Sequence, residues 1–138
     1  MTSTDEPRER VAIAVVEHAG RYLVGTRRAD QALAGRAEFP GGRCLPGEAG
    51  SACAVRECRE ETGLTVTAVR QLVACRHTYP HGALELEFWL CRPAADQDVD
   101  PVAGGFRWVP AESLNSLDFP EANRAVLEIL SAGPQSAS

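Results

Sequence analysis

The chain has 138 residues, 44% of them hydrophobic, with a formal net charge of −5. That length suits one domain with a core of its own, without disulfide or metal staples. The acidic balance argues against a binder of nucleic-acid backbone, and the lack of a membrane-length apolar run or a secretory apolar region makes a cytoplasmic location the expectation.

Residues 1–9 and 132–138 are polar and expected to fray, leaving a single domain over residues 10–131. Residues 11–16 are an apolar, β-branched run, and after a turn at 18–20 the stretch 21–25 completes a hairpin. Residues 27–39 read as loop, and Pro40-Gly41-Gly42 as a turn with left-handed options. A helix is predicted from about Ser51 to Gly63, a glycine suited to the position after a helix end. Residues 64–79 look extended, and Pro80-His81-Gly82 signals a turn. Residues 84–91 alternate apolar and acidic, as in a strand with one wet face. That reading leaves Glu85, Glu87, His77 and His81 on exposed strand and turn surface. A short strand at 106–109 and an amphipathic helix at 120–130 close the chain, giving mixed α and β in one unit.

The five cysteines are Cys44, Cys53, Cys58, Cys75 and Cys91, an odd number with no C-x-x-C pair. Neither a disulfide framework nor a zinc site fits that spacing, so they read as reduced thiols. Cys44 is the one placed for oxidation.

Residues 42–64 carry the decisive pattern, G-x5-E-x7-R-E-C-x-E-E-x-G-L. Glu57, Glu60 and Glu61 fall at i, i+3 and i+4 and so share one helical face. Bare, each close pair would repel by about 4 kcal/mol at an effective dielectric of about 20. An oxygen-only set without His or Cys suits a hard cation, Mg²⁺ or Mn²⁺.

This pattern resembles the Nudix box, the signature of hydrolases that cleave nucleoside diphosphates linked to another group. Gly42, Glu48, Arg56, Glu57, Glu60, Glu61 and Gly63 match it, and Cys58 fills one of its apolar positions. The resemblance implies an α+β fold, an α-β-α sandwich with a mixed β-sheet between helices. It extends over about residues 11–130, where the chain is similar to MutT-type Nudix hydrolases, the group that destroys oxidised guanine nucleotides. The flanking matches are TRRADQALAGRAEFPGG at 26–42, YPHGALELEFWL at 79–90 and LDFPEANRAVLEIL at 117–130.

The reaction so implied is Mg²⁺-dependent (Mn²⁺ as the alternative) attack of water on the β-phosphorus of a purine nucleoside triphosphate. 8-oxo-dGTP would give 8-oxo-dGMP and pyrophosphate. Glu57, Glu60 and Glu61, with a backbone carbonyl of Gly41 or Gly42, would hold the ions. Glu57 is the first choice as general base and Glu48 the second. Arg56 joins this set by pairing with a helix carboxylate, Glu60 being one turn on.

On the substrate side, Arg28 falls at the family's phosphate-contacting position and Arg43 at its basic position after the glycine pair. Phe39 and Phe119 are candidates either for the base pocket or for plain core. Asn123 lies in the F-P-x-A-N base-recognition segment. Its amide could donate to O6 and accept from N7–H of 8-oxoguanine, which ordinary guanine lacks. A turn or cap role after Pro120 is the competing explanation.

Two positions depart from the MutT pattern. Gly82 stands where the family has an arginine, and Val102 where it has a loop glutamate, for which Asp98 or Asp100 could substitute. The expected partner is a small nucleotide, with no nucleic acid or membrane, on a monomer or homodimer. A Nudix enzyme acting on a modified pyrimidine triphosphate, ADP-ribose or a nucleotide sugar is the second reading. A non-catalytic nucleotide sensor is the third.

Overall fold

A computed structural model describes residues 9–30, 34–80, 82–100 and 102–133. The expectations for the two ends fall mainly on residues outside this set, as does the one for His81.

β1 (Glu9–His18) and β2 (Arg21–Thr26) form the predicted hairpin. Ala19 and Gly20 both take positive φ, 52° and 75°, the pair of left-handed residues that a tight two-residue turn requires. β3 (Ala37–Glu38) pairs with β2 inside the stretch expected to be all loop. β4 (Gly41–Arg43) pairs antiparallel with β1, placing Ala12 opposite Gly42 and Ile13 opposite Gly41.

The predicted glycine turn is therefore corrected: Gly41 and Gly42 lie in a strand, and neither has positive φ. These glycines serve close approach instead. A Cβ on Gly41 would stand 2.7 Å from the Ala12 carbonyl oxygen and 2.9 Å from Ile13 Cα.

α1 (Gly50–Thr62) follows, ended by Gly63 at φ 80°, whose N–H donates to the Arg59 carbonyl at 2.9 Å. β5 (Val66–Tyr79) and β6 (Gly82–Pro93) make a long antiparallel hairpin, and β7 (Arg107–Pro110) pairs with β2. The helix predicted at 120–130 begins with a 3₁₀ turn, Glu121–Asn123, and becomes α2 only at Arg124–Ser131. A further 3₁₀ segment, Ala111–Ser116, had no sequence signal strong enough to place it.

The sheet runs β3-β2-β1-β6-β5, and β1 against β6 is its parallel pair. Because side chains alternate along a strand, the sheet faces two cores. Ala12, Ala14 and Val16 meet Cys53, Ala54 and Cys58 of α1 on one side. Val15, Val24, Leu86 and Phe88 meet Val126 and Leu130 of α2 on the other. This is the sandwich expected, with a mixed sheet between helices.

The supposed wet face of β6 lies under α1. Glu87 is half-buried there, with its side chain 22% exposed, instead of standing on open surface. All five cysteines are free thiols; Cys53, Cys58 and Cys91 are buried, and Cys44 is half-buried against the α1 core. Among the described residues, no helix is long and apolar enough to cross a membrane.

Candidate active site

The acidic face of α1 meets the sheet at β4. Glu57 packs over Gly42, where an added Cβ would come within 2.6 Å of the Glu57 Oε2. One residue earlier, the Gly41 N–H donates to Glu61 Oε1 at 3.2 Å. Two of the three helix carboxylates thus stand against the glycine strand.

Glu60 does not join them. Arg56 Nη1 donates to its two oxygens at 3.3 and 3.2 Å, and the Glu60 side chain remains 57% exposed. Helical spacing brings three side chains to one face, and Arg56 Nη1 bridges two of them, Glu57 at 3.1 Å and Glu60 at 3.2 Å. Of the expected set, Glu57 and Glu61 stand at the glycine strand and Glu60 is paired with Arg56. Among the described residues, no three His, Cys, Asp or Glu side chains form a group arranged to hold a metal ion.

Arg56 is the hub, and its main partner differs from the one expected. Its Nε donates to Glu48 Oε2 at 2.8 Å and its Nη2 to Glu48 Oε1 at 2.9 Å, a two-pronged fork. Nη1 also reaches Glu57 Oε2 at 3.1 Å, and Nη2 the Arg43 carbonyl at 3.1 Å. Glu48 accepts in addition from the Leu45 N–H at 2.9 Å. The Arg56 fork and that N–H draw the Glu48 carboxyl down from 4.5 to about 2. Arg56 is held well above its ordinary value, chiefly by Glu48 and then by Glu60.

Glu61 behaves in the opposite way. Burial pushes its carboxyl up to about 7; the Gly41 N–H opposes the rise, the charges of Glu57 and Glu38 add to it, and Arg28 pulls it back. Glu38, to which the sequence reading gave no role, therefore belongs to the same electrostatic neighbourhood. It is half-buried on β3, paired with Arg27 at 3.2 Å, and its carboxyl is raised by burial. Its place in the E-F-P-G-G stretch was the available signal.

The substrate-side candidates divide. Phe39 is buried and stacks on Phe119, with ring centroids 4.8 Å apart and planes 26° off parallel, so the two form one aromatic unit. Arg28 is exposed and paired with Asp30 at 3.3 Å. The Arg43 side chain turns to Glu9 at 3.4 Å, so only its backbone carbonyl meets the arginine hub. Asn123 is half-buried and its Nδ2 donates to the Pro120 carbonyl at 3.2 Å, the turn contact weighed against base reading. In the loop after β6, Asp98 and Asp100 are exposed, and Asp98 accepts the Asp100 N–H at 3.2 Å.

The donors facing the glycine strand fit a hard divalent cation. Glu57 and Glu61 both offer carboxylate oxygen there, beside a Cys53 thiol that donates to the Gly42 carbonyl at 3.5 Å; Glu57 fills a space that a Cβ on Gly42 would take, and Glu61 is half-buried among like charges.

Comparison with known proteins agrees with this geometry. The family described as NUDIX domain matches residues 11–129. An Escherichia coli (strain K12) 8-oxo-dGTP diphosphatase is 29% identical over 119 residues, covering 86% of this chain and 92% of that protein. A CTP pyrophosphohydrolase from the same organism is 32% identical over 79 residues, 57% of this chain and 58% of its own. Among solved structures, a MutT protein from Methanosarcina mazei Go1 superposes with a TM-score of 0.74 at 21% identity, over 94% of this chain and 97% of that one. Fold, acidic helix and family match together define a hydrolase of acid anhydrides, a pyrophosphohydrolase. The chain belongs to the NUDIX domain family.

Proposed function

We propose that this chain hydrolyses purine nucleoside triphosphates to the monophosphate and pyrophosphate with a divalent cation, Mg²⁺ or Mn²⁺, and that 8-oxo-dGTP is its substrate. The observation that carries the reading is the packing of Glu57 on Gly42, locked from behind by the Arg56–Glu48 fork. Gly41 and Gly42 put no side chain beside that carboxylate, which would leave room there for a phosphate chain.

Glu57 and Glu61, with Glu60 once released from Arg56 and a backbone carbonyl of Gly41 or Gly42, would hold the cation. When bound, it would neutralise phosphate charge and acidify water. Glu57 accepts the proton of the attacking water, and Arg56 fixes that carboxylate's orientation. Glu48 keeps Arg56 in place and is second in line as base. Arg28, on leaving Asp30, would serve the outer phosphates, and Arg43 would join it on leaving Glu9.

The base would lie by the Phe39–Phe119 unit, read by Asn123. One Asn123 N–H is taken by Pro120, while its Oδ1 accepts no hydrogen bond from the described residues and remains able to accept from N7–H. The diphosphatase relative, similar over 92% of its own length, supports the same substrate.

Gly82 favours a second reading, a pyrimidine triphosphate. It offers no side chain where the MutT pattern has an arginine, and the CTP pyrophosphohydrolase relative is consistent with that choice. Pyrophosphate release from 8-oxo-dGTP, dGTP, dCTP and CTP at matched concentrations decides between them. Preference for 8-oxo-dGTP supports the first reading, and a faster cytidine substrate overturns it.

A further inference from the structure

Arg10, Glu87 and Trp89 meet where β1 and β6 pass beneath the start of α1. Trp89 Nε1–H donates to Glu87 Oε1 at 3.0 Å, and Arg10 Nη2–H donates to Glu87 Oε2 at 3.3 Å. Both carboxylate oxygens are thereby engaged. The other arm of Arg10, Nη1–H, donates to the backbone carbonyl of Glu48 at 2.9 Å.

The cluster bears directly on α1. Gly50, the first residue of the helix, is buried, and a Cβ on it would collide with Glu87 Oε1 and stand 3.0 Å from Trp89 Nε1. α1 has no cap of its own, because Ala49 offers no side-chain oxygen and the first turn holds no acidic residue. Glu87 brings from β6 the negative charge that a helix N-terminus favours.

Arg10 also brackets the loop that delivers Glu48. Its carbonyl accepts the Cys44 N–H at 2.8 Å where the loop leaves β4, and its guanidinium holds the Glu48 carbonyl where the loop reaches α1. Between that clamped carbonyl and the fork on Arg56, Glu48 has only its own side-chain torsions. A planar guanidinium can serve an acceptor on each side, whereas an ammonium is a single compact charge.

We propose that Arg10, oriented by Glu87 and Trp89, is a positioning residue for the hydrolysis. It fixes the backbone from which Glu48 grips Arg56, and through Arg56 the aim of Glu57. The inference rests on the catalytic reading of Glu48, Arg56 and Glu57 given above.

The test is steady-state pyrophosphate release from 8-oxo-dGTP, dGTP and dCTP with Mg²⁺, for Arg10→Lys, Glu87→Gln, Glu48→Gln and the double variant Arg10→Lys/Glu48→Gln. Loss of such an outer contact costs about tenfold to a hundredfold in activity. That loss is expected in kcat for Arg10→Lys and more weakly for Glu87→Gln, with KM changed by no more than about twofold. Because Arg10 acts through Glu48, the double variant should be no slower than Glu48→Gln alone, within about twofold.

Full kcat in Arg10→Lys, or a drop in the double variant equal to the product of the single drops, overturns the inference while the catalytic reading stands. Full turnover in Glu48→Gln removes the catalytic reading, and the inference with it. Should Arg10→Lys fail to fold, Glu87→Gln alone and combined with Glu48→Gln carries the same comparison.

Discussion

Arg56 of α1 and Glu48 of the loop before it are joined by two parallel hydrogen bonds, 2.8 and 2.9 Å long. The pair ties the loop to the helix and draws the Glu48 carboxyl from 4.5 down to about 2. A carboxyl whose folded pKa is depressed stabilises the fold above its unfolded pKa and loses that contribution as pH falls. The window here runs from about 4.5 down to about 2. Melting temperature followed through that range should fall more steeply for the native chain than for Glu48→Gln. Parallel curves would mean that the fork does not titrate with folding.

The adjacent glycines of β4 should fail in different ways. At Gly42 a Cβ meets the end of the Glu57 side chain, which can turn away by giving up its hydrogen bond to Arg56. Gly42→Ala is therefore expected to fold with an unchanged melting temperature and to lose turnover. At Gly41 the Cβ meets backbone, the Ala12 oxygen at 2.7 Å and Ile13 Cα at 2.9 Å. Gly41→Ala should be destabilised by about 1–3 kcal/mol, as overpacked sites are. Denaturant titration and pyrophosphate release on both variants check the contrast. Equal stability losses would remove the functional account of Gly42.

These glycines also mark the limit of what the sequence discloses. Gly63 could be placed because the end of a helix is a local event, and its positive φ follows from that alone. Gly41 and Gly42 read as a turn because glycine freedom is a local signal, whereas their purpose is set by Ala12, Ile13 and Glu57, distant in sequence. Glu60 had the right helical offset, yet its direction depends on which carboxylate Arg56 takes. Glu87 had the alternation of a half-wet strand, and only the position of α1 over β6 covers it. The chemistry-bearing residues are thus legible from spacing, while their partners are a tertiary matter.

Glu57 is assigned the water proton because it is the carboxylate lodged at Gly42 and oriented by Arg56 at 3.1 Å. General-base removal costs about 10²–10⁴-fold in rate. Glu57→Gln keeps the shape and one acceptor, so nucleotide binding and melting temperature should hold while kcat falls by that factor. Measured by single turnover with saturating 8-oxo-dGTP, undiminished chemistry would transfer the role to Glu48.

Asn123 has two competing roles, base reading and bracing of the turn after Pro120. Its Nδ2 already serves the Pro120 carbonyl at 3.2 Å, so a turn role and a base-reading role predict different outcomes for a substitution. If the amide also reads the base, Asn123→Ala leaves N7–H of 8-oxoguanine unpaired, and an unpaired buried polar group costs about 1–3 kcal/mol. That penalty falls on 8-oxo-dGTP and not on dGTP, whose N7 carries no hydrogen. The ratio of their kcat/KM values should then drop by about tenfold or more. If Asn123 only braces the turn, both substrates decline together, the ratio stays constant and the melting temperature falls with them. Measuring kcat/KM for both nucleotides alongside a thermal melt distinguishes the cases, because only base reading moves the ratio.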